Sequence, residues 1–144
     1  MIVVDASCLF EVVVDTPRSE SIRARLVTDP DQAAPHLVDA EVFSLIRREH
    51  LAGNLDATLA ALAVEDLRAW PGDRYDQRAL LQRAWELRST VRGWDALYVA
   101  LAEVLAATLV TLDARLGRAS GPECAIEVLD SCAAAPFGEL LVEG

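Results

Sequence analysis

Residues 1–7 read Met1-Ile2-Val3-Val4-Asp5-Ala6-Ser7. An unbroken apolar run, β-branched from Ile2 to Val4 and ending at an acid, is the pattern of a short strand buried on both faces of a parallel sheet. Asp5-Ala6-Ser7 then serves as the turn into a helix carrying Leu9, Phe10, Val12, Val13 and Val14, with Pro17 as its stop. The same grammar returns at Thr108-Leu109-Val110-Thr111-Leu112, a strand ending at Asp113 and followed by a short helix to about Arg118. A final strand is predicted over Ala125 to Leu129.

Between these ends the pattern is mostly helical. Helices are predicted over Ser19 to Thr28, from an N-cap at Asp39 to near Gly53, over Ala57 to Leu67, from about Gln77 to Arg88, and over Trp94 to Ala106. Asp29-Pro30-Asp31, Trp70-Pro71-Gly72 and Arg92-Gly93 read as breaks, and His36-Leu37-Val38 as a short strand. Strands separated by crossovers too long for hairpins predict a three-layer α/β/α sandwich with a mainly parallel central sheet. One domain over residues 1–130 and a C-terminal tail over 131–144 are expected, with no repeat or linker between.

The length of 144 residues lets the chain bury roughly two thirds of its unfolded surface without a metal or disulfide framework. All 13 bases are arginine. The absence of lysine excludes P-loop nucleotide hydrolysis, phosphoaspartyl chemistry and Schiff-base chemistry, each of which needs a lysine cation or amine. A net charge of -10 argues against broad affinity for nucleic acid or anionic membranes, but a phosphate could still be bridged to an acidic pocket by divalent cations. Cys8, Cys124 and Cys132 are an odd set without zinc-ligand spacing, consistent with reduced thiols and a cytoplasmic protein. The apolar N-terminus has no basic region before it and reads as a strand, not as a signal peptide. No apolar run reaches membrane-spanning length without a charge.

In parallel sheets ligands bind outside the carboxyl ends of the strands, where Asp5 and Asp113 fall. Either alone is an ordinary helix cap among 23 acids. Glu41 and Asp95 lie near helix starts, where the dipole favours them, but each sits in an apolar setting where a charge needs a partner. That partner is either arginine or a cation. Four carboxylates converging without bases would suit Mg²⁺ or Mn²⁺, and at least one of them should have a raised pKa without metal.

These residues resemble the PIN-domain ribonucleases, in particular the VapC-type toxins of bacterial toxin-antitoxin pairs. Ile2-Val3-Val4-Asp5-Ala6-Ser7 looks like the family's opening strand and first acid. Asp39-Ala40-Glu41-Val42 followed by Leu45-Ile46-Arg47-Arg48 looks like the helix with the second. Trp94-Asp95-Ala96-Leu97-Tyr98-Val99-Ala100-Leu101-Ala102-Glu103 is similar to the segment with the third, and Thr111-Leu112-Asp113 with Arg115-Leu116 to that with the fourth. The resemblance implies a divalent-metal-dependent endoribonuclease, usually a homodimer, held inactive by a cognate antitoxin protein. It implies Asp5, Glu41, Asp95 and Asp113 as the catalytic, metal-binding set, with no acid missing.

Ser7 and Thr111 are candidates for supporting hydroxyls, although capping nearby backbone is the plainer reading. Arg47, Arg48, Arg92 and Arg115 are candidates for RNA or antitoxin contact, against the plainer reading of solvated or acid-paired arginines. Trp70, Trp85 and Trp94 read first as core or interface residues and second as stacking platforms for bases. Two readings compete with a ribonuclease toxin. One is a catalytically idle protein-binding module whose acids are engaged by arginine; the other is a metal-dependent nuclease acting on DNA.

Overall fold

The computed structural model describes residues 1–129. Five strands, β1 (Ile2–Val4), β2 (Gln32–Pro35), β3 (Asp73–Tyr75), β4 (Thr108–Thr111) and β5 (Ile126–Val128), form one sheet in the order β3-β2-β1-β4-β5. Every pairing is parallel. Val3 stands opposite Ala33 on one side and Leu109 on the other, and all three are 0% exposed. Central strands covered on both faces explain why the β1 and β4 runs are continuous instead of alternating.

The helices are α1 (Ala6–Val14), α2 (Ser19–Val27), α3 (Leu37–Leu51), α4 (Ala57–Ala69), α5 (Leu81–Glu86), α6 (Asp95–Val104) and α7 (Ala114–Arg118). α6 lies against β1, β2 and β4, and its run from Tyr98 to Ala102 is buried throughout. Helices α1, α3 and α4 pack on one another as a separate group, and α5 packs on α6. The three-layer sandwich is thus the one expected, with its core at Ile2, Val4, Leu9, Val38, Val42, Val99, Leu101 and Val110.

Three local expectations are corrected. The strand read at His36–Val38 lies earlier, at Gln32–Pro35, and Leu37 and Val38 already belong to α3. Their apolar pair covers a helix face, an ambiguity that a short run cannot resolve by period. The α3 N-cap is therefore His36, and Asp39 sits inside the first turn. There it takes a two-pronged bond from Arg74, whose Nε and Nη2 lie 3.1 and 3.0 Å from its oxygens. Strand β3, Asp73-Arg74-Tyr75, has no apolar run and was not foreseen. The helix expected from Gln77 begins as a 3-10 turn over Gln77–Leu80 and continues as α5.

The expected tail, residues 131–144, lies outside the described residues, as does Cys132. Among the described residues no helix is long and apolar enough to cross a membrane.

Candidate metal centre

The sheet changes direction of growth at β1, which has β2 on one side and β4 on the other. In such sheets a crevice opens beyond the strand ends at that point. Asp5 ends β1 there, with its backbone N–H bonded to the Val110 carbonyl of β4 at 3.0 Å. Its side chain is almost fully buried, at 6% exposure. The Thr111 hydroxyl donates to Asp5 Oδ2 at 2.6 Å and the Ser7 hydroxyl to the same oxygen at 2.9 Å.

Both hydroxyls are themselves fixed. The Asp113 N–H donates to Thr111 Oγ1 at 3.0 Å, and the Leu112 N–H donates to Ser7 Oγ at 3.2 Å. Asp5, Ser7, Thr111 and the β4–α7 turn therefore form one hydrogen-bonded unit. Each hydroxyl accepts from backbone, as the plainer reading expects, and also donates to a carboxylate.

Glu41 projects from the second turn of α3 and is half-buried. Its Oε1 accepts from the phenol of Tyr98, which lies in α6 and is 0% exposed, at 2.9 Å. Asp95 opens α6 one turn before Tyr98, so the helical period sets both on one side. Sequence reasoning missed Tyr98. The signal was available, since a tyrosine three residues after a candidate acid in a buried helix must place its hydroxyl against some polar group.

Asp113 caps α7 by accepting from the Arg115 N–H at 2.9 Å, and its carboxylate also pairs with the Arg115 guanidinium at 3.3 Å. Asp95, Asp113, Arg92 and Arg115 line one small cleft. Arg47 and Arg48 are exposed further along α3, with Arg48 3.5 Å from Glu49. Of the four arginines, only Arg92 and Arg115 are brought to the acids. Trp70 is core, its N–H donating to Gln32 Oε1 at 3.1 Å, whereas Trp85 and Trp94 are 67% and 61% exposed.

The carboxylates sense one another. Burial raises the Asp5 pKa above the usual carboxylate range against the lowering effect of the Thr111 and Ser7 hydroxyls, and the Asp113 charge adds to the rise. Glu41 is pushed up to about 7, first by burial and then by Asp5 and Asp95, although Tyr98 opposes the shift. Asp95 is pushed up to about 6 by burial and by Asp5 and Asp113, with Arg92 and Arg115 acting the other way. Burial acts upward on Asp113 too, but its bonds from Arg115 leave it lowered.

The donor set fits a hard cation in kind: oxygen ligands, net negative, at a rigid strand end. Asp5, Glu41 and Asp95 make no ion pair among the described residues, whereas several other acids are bonded to arginine, as in Asp15–Arg23, Asp39–Arg74 and Glu103–Arg83. As the side chains stand, no three His, Cys, Asp or Glu residues among those described are close enough to grip one ion. The four acids meet at electrostatic range.

The profile of the PIN domain family matches residues 2–122. The chain is 42% identical over 119 residues to Ribonuclease VapC3 of Mycobacterium tuberculosis, which covers 82% of this chain and 86% of that protein. It is 36% identical over 129 residues to VapC ribonuclease Mb0985 of Mycobacterium bovis, 90% of this chain and 98% of the relative. Ribonuclease VapC1 of Mycobacterium tuberculosis is 35% identical over 128 residues, 88% and 96% respectively.

Proposed function

Because the chain belongs to the PIN-domain family, we propose that it is a divalent-metal-dependent endoribonuclease and the toxin of a toxin-antitoxin pair, acting in the cytoplasm. Asp5, Glu41, Asp95 and Asp113 would hold Mg²⁺ or Mn²⁺. RNA is the substrate and a cognate antitoxin the inhibitor, and the working form is a homodimer. The observation that carries the reading is that, among the described residues, Asp5, Glu41 and Asp95 form no salt bridge or hydrogen bond with an arginine, although the chain has 13 of them. The idle-module reading needs those acids engaged by arginine, and only Asp113 meets that requirement.

When bound, a divalent ion supplies Lewis acidity, which makes water a nucleophile at neutral pH and neutralises charge on a phosphodiester. The chain's residues do the rest. Asp5, clamped by two hydroxyls, is the least mobile ligand. Burial and the neighbouring acids push Asp95 up to about 6 and Glu41 up to about 7 in the metal-free protein, so a bound cation would favour their charged forms. Arg92 and Arg115 stand at the rim, where a guanidinium can orient an RNA phosphate.

The test is incubation of the purified chain with an RNA and a DNA of the same sequence, each with Mn²⁺, with Mg²⁺ or with EDTA. Discrete metal-dependent RNA fragments with intact DNA are expected. Cleavage of DNA alone would move the reading to a DNA nuclease, and no cleavage of either would favour the binding module.

A further inference from the structure

Two of the site's acids are held by hydroxyls, and the two arrangements differ. At Asp5 the hydroxyls of Ser7 and Thr111 also accept from backbone N–H groups, so they have local duties in the β4–α7 turn. Tyr98 has none. Its phenol oxygen has one hydrogen bond among the described residues, the one to Glu41 Oε1 at 2.9 Å, and its ring is 0% exposed in the α6 core. A phenylalanine would fill the same volume. A buried hydroxyl without a partner is costly, so the oxygen is tolerated here because it meets the carboxylate.

The choice of donor matters. An arginine beside Glu41 would fix the carboxylate but cancel its charge, as Arg74 does for Asp39. A phenol is neutral: it fixes one oxygen and leaves the negative charge for a cation. The bond also ties α3 to α6, so that Glu41 is positioned by the helix that carries Asp95, one turn away from Tyr98. Outer partners of this kind orient a ligand without touching the ion.

We infer that Tyr98 is a positioning residue for metal binding, its hydroxyl holding Glu41 Oε1 so that the carboxylate is presented to the cation that Asp5 and Asp95 share. The inference rests on the metal-dependent reading above. It is tested on the full chain by titrating Mn²⁺ into wild type and Tyr98→Phe, with free Mn²⁺ followed by electron paramagnetic resonance. Both are then compared in a Glu41→Gln background, with metal-free thermal melts as a control on folding. Tyr98→Phe should weaken Mn²⁺ binding about tenfold in the wild-type background, and less than twofold when Glu41 is already glutamine. Equal Mn²⁺ binding by wild type and Tyr98→Phe would overturn the inference while leaving the metal reading intact. So would an equal loss in both backgrounds, which would mean that Tyr98 acts through packing. If wild type bound no Mn²⁺, both would fall.

Discussion

Thr111 Oγ1 lies 2.6 Å from Asp5 Oδ2, so a hydroxyl at the end of β4 closes onto the carboxylate at the end of β1. Both residues are buried, and the same hydroxyl accepts the Asp113 N–H. One oxygen thereby sets the spacing of two acids. Replacing Thr111 with valine keeps the shape, removes one of the two hydroxyls on Asp5 Oδ2 and leaves the Asp113 N–H without its acceptor, at an expected cost of about 2 kcal/mol, typical for lost hydrogen bonds at a buried carboxylate. Chemical unfolding at neutral pH measures it. A cost under about 0.5 kcal/mol would mean that the hydroxyl does not support the carboxylate.

The metal-free protein should become less stable as pH rises from about 4.5 to about 7. Glu41 titrates near 4.5 when unfolded and near 7 when folded, and Asp95 moves from 3.8 to about 6. Folded acids with raised pKa values bind more protons than unfolded ones, so their contribution is fully present below the unfolded value and lost through the folded one. Lowered carboxylates such as Asp113 act in the opposite sense but at lower pH. Thermal melts in EDTA from pH 5 to pH 8 should fall for wild type and fall less for Glu41→Gln. Identical slopes would remove Glu41 as a source.

Mn²⁺ or Mg²⁺ should reverse that loss. A ligand that binds only the folded state at one hundred times its dissociation constant stabilises by about 2.7 kcal/mol. Because the ligands must be deprotonated, the gain should be larger at pH 8 than at pH 5. Asp95→Asn should lose most of it. Metal titrations followed by thermal unfolding give all three comparisons, and equal stabilisation of wild type and Asp95→Asn would locate the ion elsewhere.

Arg74 is a structural residue, and its loss should separate stability from activity. Its guanidinium bonds both Asp39 oxygens and the carbonyls of Trp70, Gly72 and Leu67, and its centre stacks 4.8 Å above the Trp70 ring. Arg74→Ala should cost about 3 kcal/mol, within the range for breaking a partly buried charged network. RNA cleavage below the melting temperature should remain within a factor of two of wild type. A large loss of activity in folded protein would give Arg74 a part in the site.

The legible parts of the fold were those where composition and period agree. Ile2-Val3-Val4 is β-branched throughout and Leu109-Val110-Thr111 mostly so, and both runs are continuous because both faces of the central strands are covered. β2 is Gln32-Ala33-Ala34-Pro35, with no β-branched residue, and is a strand only because β1 and β3 flank it. Its tertiary context overrides its weak propensity. Asp5 and Asp113 were visible as acids at strand ends, and Glu41 and Asp95 as charges in apolar runs. Ser7 and Thr111 stood out as candidates beside a plainer capping role, whereas Tyr98 did not, because it sits among residues that pack and only the fold turns its buried oxygen towards a carboxylate 57 positions away.

The most direct test of the central claim compares RNA cleavage, with Mn²⁺ and with EDTA, by wild type, Asp5→Asn, Asp95→Asn and Asp76→Asn. Asp76 is an exposed acid that is paired with Arg78 and caps the 3-10 turn over Gln77–Leu80. Wild type and Asp76→Asn should cut RNA into the same discrete fragments with Mn²⁺ and not with EDTA, while Asp5→Asn and Asp95→Asn, though folded, should lose the activity. Cleavage that persists in Asp5→Asn and Asp95→Asn, or in EDTA, would contradict the claim that the unpaired acids carry the reaction.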